Sequence, residues 1–292
     1  MPEPEEDDGT GRMRSRILSM NKEAARFFHA CLNSSVDEAA QARAYWRRRG
    51  LDDRTISRFG LGYAPNDGQA LYHFLRDKGY TQAEMDASGL FKRSHAGRIY
   101  CLFWRRVITP IFDLRGNVIA FGGRVMDDSK PKYVNSPETL VYHKSETVFA
   151  LQIAKKSASR RYVLCEGYMD VISMQQAGID TAVCACGTAL TQNQVKLLSE
   201  YADEVILSYD SDEAGQKATL RSLELFRNSP VQVGVLNIPN AKDPDEYIKK
   251  FGPERFRQLL DGAGNALEFR LARARSKYDL KQDTQRLEYI QE

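Results

Sequence analysis

The pattern of hydrophobic and polar positions changes near residue 160. Before it, apolar residues recur at helical spacing in "KEAARFFHACLN", "AQARAYWRRRG" and "QALYHFLRDKG", as in amphipathic helices. Two strand-like runs follow, "RVITPIFD" and "VIAFGGRV", joined by a turn at "LRGN". They predict a β-hairpin, and the proline in the first run predicts an edge position or a bulge. The first half is therefore predicted to be an α+β region.

Beyond residue 160, strand-like runs alternate with helical segments. The strand-like runs are "RYVLCE", "TAVCAC", "EVILSYD" and "VQVGVLNIP", and a helical segment follows each of them. This alternation is typical of a parallel sheet flanked by helices. From about residue 253 the pattern is helical throughout.

These patterns predict a fold class and four segments. The fold class is an α+β N-terminal subdomain, followed by an α/β domain with a mostly parallel sheet and by a short C-terminal helical subdomain. The first 16 residues show no hydrophobic pattern, which indicates disorder. The predicted segments are a disordered acidic linker at 1–19, the α+β subdomain at 20–159, the α/β domain at 160–250 and the start of the helical subdomain at 251–292.

The charge of the chain is unevenly distributed. The net charge is +3, but residues 1–10 carry −5, residues 11–160 carry +12 and residues 161–292 carry −4. A basic region attracts phosphates, and clustered acids can hold divalent metal ions. Two solvated domains of unequal charge would produce the same asymmetry, so charge alone decides nothing.

Composition excludes several classes of protein. The sequence contains no run of about 18 apolar residues, so it predicts no membrane span. The N-terminus lacks the apolar region of a secretory signal. The cysteines are odd in number, five in all, which predicts reduced thiols rather than a disulfide framework. The pair Cys184 and Cys186 has no partner pair, so we expect no zinc site.

Carboxylates follow three of the four predicted strands. Glu166 ends the first strand, and Asp210 ends the third, with Asp212 two residues on. Asp243 and Asp245 come after the fourth strand. Because the carboxyl ends of parallel strands meet at one edge of a sheet, we expect these five side chains to lie close together.

The spacing of these acids suggests a metal site. Asp170 is predicted in the first turn of the helix behind Glu166, and residues two apart in an extended segment point the same way. Like charges are tolerated together only if a cation neutralises them. Ligands that are oxygen only favour Mg²⁺ or Mn²⁺ over zinc. Such a site can polymerise nucleotides, cut strands or transfer a strand to a tyrosine, and the acids do not choose among these reactions.

The motifs around these acids carry a family resemblance. "EGYMD", "YDSDEAG" and "KDPDEY" resemble the three acidic motifs of a TOPRIM domain, which primases, topoisomerases and some nucleases share. "RFGLGYAP", "RVITPIFDLRGNVIAFGGR" and "PKYVNSPET" with the "HK" after it resemble the RNA-polymerase core of bacterial DnaG-type primases. The resemblance extends over nearly all of residues 20–292.

The resemblance implies roles for particular residues. It implies catalytic acids at Glu166, Asp170, Asp210 and Asp212, and metal ligands at Glu166, Asp210, Asp212, Asp243 and Asp245. The implied template or nucleotide contacts are Arg58, Arg124, Lys132, Asn135 and Lys144, with Tyr133 as an adjacent stacking surface. Basic side chains among aromatic ones suit phosphate contacts and base stacking.

The function that the resemblance implies is synthesis of short RNA primers on single-stranded DNA by two-metal nucleotidyl transfer. The expected ligands are two or more Mg²⁺ or Mn²⁺ ions, ribonucleoside triphosphates, the template and the RNA primer. We expect a catalytic core without the zinc-ribbon and helicase-interacting domains of the family, active at the replisome in the bacterial cytoplasm and not bound to a membrane. The alternatives are a TOPRIM nuclease or topoisomerase, and a non-catalytic module that binds single strands.

Overall fold

The computed structural model describes residues 9–94, 96–187 and 189–277. These residues form two compact units. The first runs up to Ile153 and also contains Cys186 and Gly187, and the second contains Ala154–Ala185 and the residues from Ala189 onward. Residues 1–8 of the predicted linker and residues 278–292 of the predicted C-terminal subdomain lie outside the described residues.

The first unit combines helices with a small antiparallel sheet. Its helices are α1 (Gly9–Leu32), α2 (Asp37–Arg48), α3 (Asp53–Arg58), α4 (Ala70–Asp77) and α5 (Gln82–Ala87). The short α6 (Leu151–Ala154) contains the point in the sequence where the first unit ends and the second begins. Its strands are β1 (Gly62–Ala64), β2 (Phe91–Arg93), β3 (Ile99–Cys101), β4 (Arg106–Phe112), β5 (Val118–Val125), β6 (Tyr133–Asn135) and β7 (Val148–Phe149). The α+β character predicted for this region is confirmed.

The predicted hairpin forms the centre of this sheet. The strand order is β1-β4-β5-β6, and β4 pairs antiparallel with both of its neighbours. The strand containing Pro110 is therefore not an edge strand over its whole length. Pro110 lies beyond the three residues of β4 that pair with β1, and the register shifts between Ile111 and Phe112. Proline is tolerated here because β4 is locally at an edge and next to an irregularity.

Helix α1 covers the core of the first unit. Its apolar residues Ile17, Met20, Ala24, Phe28 and Leu32 recur every three or four positions and are all buried, so one face of the helix meets the core. Phe28 contacts the rings of Phe103 and Phe121 edge-on, a favourable arrangement for aromatic pairs.

The first part of α1 corrects one expectation. We predicted disorder over residues 1–19, but residues 9–19 are helical. Ile17 is buried, and Arg16 forms an ion pair with Glu84. Tertiary contacts of this kind stabilise a segment that has no amphipathic pattern of its own before Ile17.

The second unit is a mostly parallel sheet flanked by helices. Its strands are β8 (Arg161–Cys165), β9 (Ala182–Ala185), β10 (Glu204–Ser208), β11 (Gln232–Val235) and β12 (Gly264–Asn265). Its helices are α7 (Tyr168–Gln176), α8 (Gln192–Ser199), α9 (Glu213–Phe226), α10 (Pro244–Phe251), α11 (Pro253–Asp261) and α12 (Ala266–Lys277). The strands lie in the order β12-β11-β10-β8-β9, and the predicted α/β class is confirmed.

The pairing directions agree with the predicted alternation. β8 pairs parallel with β9 and β10, and β10 pairs parallel with β11. The short strand β12 pairs antiparallel with β11 and interrupts the segment that we expected to be helical throughout from residue 253. Two residues are too few for a hydrophobic period to reveal a strand.

Among the described residues, none of the helices has the length and apolar composition that a bilayer crossing requires.

Candidate functional site

Two neighbouring strands of the second unit end in carboxylates at the same edge. Cys165, the last residue of β8, pairs with Ser208, the last residue of β10. Glu166 follows Cys165 directly and is exposed, and Asp210 follows Ser208 by two residues and is partly buried. The parallel register therefore carries both acids past the same end of the sheet, as predicted from the sequence.

Asp170 is the third residue of α7 and lies behind this edge. Its carboxylate accepts a hydrogen bond from the backbone N–H of Gly167 at 3.1 Å, and only 8 % of the residue is exposed. Burial raises the pKa of Asp170 to about 7, with further contributions from the charges of Asp243, Asp210 and Asp245. Asp170 is thus protonated in part at neutral pH unless a cation compensates these charges.

Asp210 is held in a similar environment. Burial and the charge of Glu166 raise the pKa of Asp210 to about 6, although Lys242, with Nζ 3.8 Å from the carboxylate, acts in the opposite direction. Gly215 allows its backbone to reach this position, since a Cβ on Gly215 would lie 2.0 Å from the carbonyl oxygen of Asp210. The lack of a side chain is therefore required at Gly215.

Asp212 and Asp243 stand at the starts of helices. Asp212 is the N-cap of α9, and its carboxylate accepts from the N–H of Gly215 at 2.9 Å. Asp243 is likewise the N-cap of α10 and accepts from the N–H of Glu246 at 2.8 Å. Each acid satisfies a helix terminus, so one oxygen of each is already engaged.

Asp245 departs most from the prediction. It lies within α10 rather than in an extended segment, is 5 % exposed, and accepts a hydrogen bond from Ser173 Oγ of α7. Lys249 Nζ lies 2.6 Å from the other carboxylate oxygen. The expectation that Asp243 and Asp245 stand in one extended segment is wrong, because helix α10 begins between them.

We call Glu166, Asp170, Asp210, Asp212, Asp243 and Asp245 the acidic edge. Within the described residues, no three His, Cys, Asp or Glu side chains converge in a ready-made metal cage. The donor set nevertheless fits a hard divalent cation, because it consists of oxygens alone. Burial, and after it the charge of neighbouring carboxylates, raises the pKa values of Asp170 and Asp210 at this edge.

The first unit holds one arginine side chain close to two aromatic rings. Arg124 of β5 pairs with Tyr133 of β6 in the sheet, and its guanidinium carbon lies 5.0 Å from the centre of the Tyr133 ring. The ring of Tyr45, on α2, lies 5.8 Å from the same carbon. We call Arg124, Tyr133 and Tyr45 the arginine stack. Tyr133 is 54 % exposed, which leaves its ring accessible to a base.

Two more predicted residues adjoin the stack. Lys132 is exposed, and its carbonyl accepts from the N–H of Val125, so its backbone belongs to the same strand pair. Asn135 ends β6, and a Cβ on Gly187 would lie 2.0 Å from its amide nitrogen. Gly187 also has a φ of +70°, a backbone conformation that favours glycine. The structure therefore brings Lys132, Tyr133, Asn135 and Arg124 together on β5 and β6.

Arg58 and Lys144 lie on other segments. Arg58 is the exposed last residue of α3. Lys144 is partly buried, and its backbone N–H donates to Glu138 at 3.0 Å. Their roles as template or nucleotide contacts stay predictions.

Sequence reasoning missed Tyr45. The residue stands in "ARAYWRRRG", directly before a run of arginines. An aromatic side chain beside clustered arginines could have signalled a phosphate or base contact, although the structure shows that Tyr45 is also buried in the core.

Comparisons with known proteins identify the family. Residues 27–155 match the DNA primase catalytic core, N-terminal domain, and residues 163–248 match a Toprim-like family. The structure of a DnaG primase catalytic domain bound to single-stranded DNA superposes with a TM-score of 0.83 and 32% identity, over 96% of this chain and 91% of that one. The chain belongs to the DnaG primase family.

Other DnaG relatives agree. The DNA primase of Clostridium acetobutylicum is 42% identical over 278 residues, which are 95% of this chain and 46% of that protein. The zinc-binding and RNA-polymerase domains of the Aquifex aeolicus primase superpose with a TM-score of 0.82 and 36% identity, over 90% of this chain and 65% of that one. The chain thus spans about half the length of the curated DnaG primases that it matches.

Proposed function

We propose that this chain is the catalytic core of a DNA primase, a DNA-directed RNA polymerase that makes short RNA primers on single-stranded DNA for replication. The observation that carries the proposal is the pairing of Cys165 with Ser208, which puts Glu166 and Asp210 at one end of the sheet. Membership of the DnaG family supports nucleotidyl transfer, rather than strand cleavage, as the reaction at this edge.

The acidic edge would hold two or more Mg²⁺ or Mn²⁺ ions through Glu166, Asp210, Asp212, Asp243 and Asp245. Divalent ions at such a site stabilise charge on the attacking and leaving oxygens of an in-line displacement at phosphorus. Asp170 would not bind a metal ion itself. It would change the net charge of the site through its protonation state, because it is buried and interacts with Asp210, Asp243 and Asp245. Glu166 acts as a ligand or as a general base, and its exposure is compatible with either role.

The first unit would contact the template and the nucleotides. Arg124 and Lys132 provide positive charge for phosphates, and Tyr133 provides an exposed ring for a base. Asn135, Arg58 and Lys144 add polar contacts. The DnaG catalytic domain solved with single-stranded DNA supports the choice of template.

The partners follow from the family. Ribonucleoside triphosphates are the substrates and the RNA primer is the product. A zinc-binding domain, as in the Aquifex aeolicus primase, would help to select the start site, and the replicative helicase would bind the whole protein. The reaction would take place at the replisome in the bacterial cytoplasm.

The test is an assay with labelled ribonucleotides, single-stranded DNA and Mg²⁺. We expect ribonucleotide incorporation without cleavage of the DNA, and loss of incorporation with Glu166→Gln. Cleavage of the template would instead support a nuclease, and binding without incorporation or cleavage would support a non-catalytic module. Either result would refute the proposal.

A further inference from the structure

Lys242 and Lys249 form ion pairs with the acidic edge, and the two pairs differ in geometry. Lys249 Nζ lies 2.6 Å from a carboxylate oxygen of the buried Asp245, a hydrogen-bonding distance. Lys242 Nζ lies 3.8 Å from the carboxylate of Asp210, and 62 % of the Lys242 side chain is exposed. This distance is too long for a hydrogen bond, so Lys242 compensates the charge of Asp210 without fixing its carboxylate.

The backbone of Lys242 is fixed beside Asp210. Its N–H donates to Glu246 Oε2 at 2.7 Å, and its carbonyl oxygen accepts from the N–H of Ser211 at 3.1 Å. Ser211 directly follows Asp210, so this second bond joins the loop after β10 to the loop before α10. The ammonium group is therefore held near Asp210 although the side chain is exposed.

The charge of Lys242 acts in opposite directions on two ligands of the acidic edge. Lys242 repels a divalent ion that binds alone, because the ion adds positive charge beside the ammonium group. Lys242 attracts an ion that is bound to a triphosphate, because that complex carries net negative charge. Lysine suits such an exchange, since its ammonium group is a compact charge on a flexible stem.

We propose that Lys242 is a resident counter-ion of the acidic edge, which opposes the binding of a free divalent ion and favours the binding of an ion that arrives with a triphosphate. Lys242 thus selects the nucleotide-bound form of the metal ion as the ligand of this edge. The proposal rests on the proposed function, in that the acidic edge is taken to bind Mg²⁺ or Mn²⁺ together with a nucleoside triphosphate.

The decisive variant is Lys242→Met, which removes the ammonium group and keeps most of the side-chain volume. We expect Mn²⁺ alone to bind this variant about threefold more tightly, and tripolyphosphate with Mg²⁺ to bind it about threefold more weakly, since solvent screens an exposed pair. Lys242→Arg keeps the positive charge and should bind both ligands as the unmodified chain does. A lysine that only supported the fold would change both affinities in the same direction.

Lys217→Met is the matched control. The Lys217 side chain is 61 % exposed, close to the value for Lys242, and its ammonium group lies 2.6 Å from Glu213, which is not part of the acidic edge. Lys217 lies on α9, the helix that Asp212 caps. We expect this variant to bind both ligands as the unmodified chain does. The two variants therefore separate the charge beside Asp210 from positive charge elsewhere in the second unit.

The experiment titrates the 292-residue chain and its variants by calorimetry, with Mn²⁺ and, separately, with tripolyphosphate in excess Mg²⁺. Asp210→Asn should lose Mn²⁺ binding, which locates the measured ion at the acidic edge. The proposal is overturned if Asp210→Asn keeps Mn²⁺ binding, or if Lys217→Met shows the same changes as Lys242→Met. It is also overturned if Lys242→Met binds Mn²⁺ no more tightly than the unmodified chain, or binds tripolyphosphate equally well.

The same titrations keep this proposal distinct from the proposed function. If the unmodified chain binds no Mn²⁺, the metal site of the proposed function fails and this proposal fails with it. If Mn²⁺ binds but Lys242→Met changes nothing, only this proposal fails. Because no synthesis is measured, a chain that shows both expected shifts but makes no primer would refute the proposed polymerase and leave the role of Lys242 supported.

Discussion

The acidic edge and the arginine stack differ in how their charges are compensated. At the acidic edge, burial first and neighbouring carboxylates second raise the pKa values of Asp170 and Asp210. At the stack, the guanidinium group of Arg124 lies over two rings whose π-electrons attract it. The acidic edge therefore depends on a cation or on protons for its stability, whereas the stack is stable alone and still has donors for an anion.

The largest effect is expected on primer synthesis when charge is removed from the acidic edge. We expect Asp210→Asn and Asp212→Asn to lower primer synthesis by about 100-fold or more, which is about 2.7 kcal/mol of activation free energy. Asp210→Asn also relieves repulsion with Glu166, so its melting temperature without metal should not fall. Gel-resolved primer synthesis and thermal melts measure the two effects.

Asp203→Asn is the control for this prediction. Asp203 directly precedes β10 at the end opposite to Asp210, where it pairs with Arg160. Synthesis close to that of the unmodified chain is expected. An equal loss of primer synthesis in Asp203→Asn and Asp210→Asn would show that charge at the acidic edge is not specifically required.

The second prediction concerns pH. The pKa of Asp170 is about 7 in the folded state against an ordinary value of 3.8, so the folded state binds the proton more tightly than the unfolded state. The stability that this proton provides is present below pH 4 and is lost as the pH rises to about 7, by at most about 4 kcal/mol. Mg²⁺ should therefore raise the melting temperature more at pH 8 than at pH 5.

Comparing the unmodified chain with Asp170→Asn isolates this contribution, because other carboxylates have lowered pKa values and act in the opposite direction. The difference in stability between the two proteins should depend on pH between 4 and 7. A constant difference over this range would contradict the account of Asp170.

A third prediction tests how the acidic edge is supported. Asp245 is buried and Lys249 partly neutralises it, so Lys249→Met leaves a buried charge without its ion pair. We expect a loss of about 2 kcal/mol in the free energy of unfolding, less than for a fully buried pair because Lys249 is partly exposed. Urea titration measures this loss.

Lys250→Met provides the comparison on the same helix. Lys250 pairs with Glu246 at 2.5 Å, but both side chains are well exposed, so the loss should stay within about 0.5 kcal/mol. Similar losses for the two lysines would show that burial of Asp245 does not matter.

The smallest effect is expected at the arginine stack. Arg124→Ala should weaken binding of single-stranded DNA about tenfold, or about 1.4 kcal/mol, and should reduce the salt dependence of binding by about one unit of slope. Fluorescence anisotropy at several salt concentrations measures both. Arg93→Ala removes an equal charge from an exposed ion pair with Asp86 and should change neither; an equal effect would mean that net charge alone governs binding.

Much of the second unit could be predicted from its sequence. The alternation of strands and helices, the parallel pairing and the position of Glu166 and Asp210 all follow from local patterns, because each strand and helix is long enough to show its period.

Other features depended on contacts between distant residues. The helix from Gly9 forms against residues such as Glu84 that lie far away in sequence. The engagement of Asp245 with Ser173 depends on the packing of α10 against α7. Spacing in the sequence suggested that Asp243 and Asp245 face the same way, but spacing cannot show that a helix begins between them.

The sequence by itself determined the family, the fold class and which acids and bases are available, because motifs and periodicity are local properties of the chain. The tertiary structure alone decided which of these groups carry excess charge and which are already engaged. It raised the pKa values of Asp170 and Asp210, and it placed Tyr45 against Arg124. The physical reason is that burial and electrostatic neighbours are set by residues far apart in sequence, so no local pattern records them.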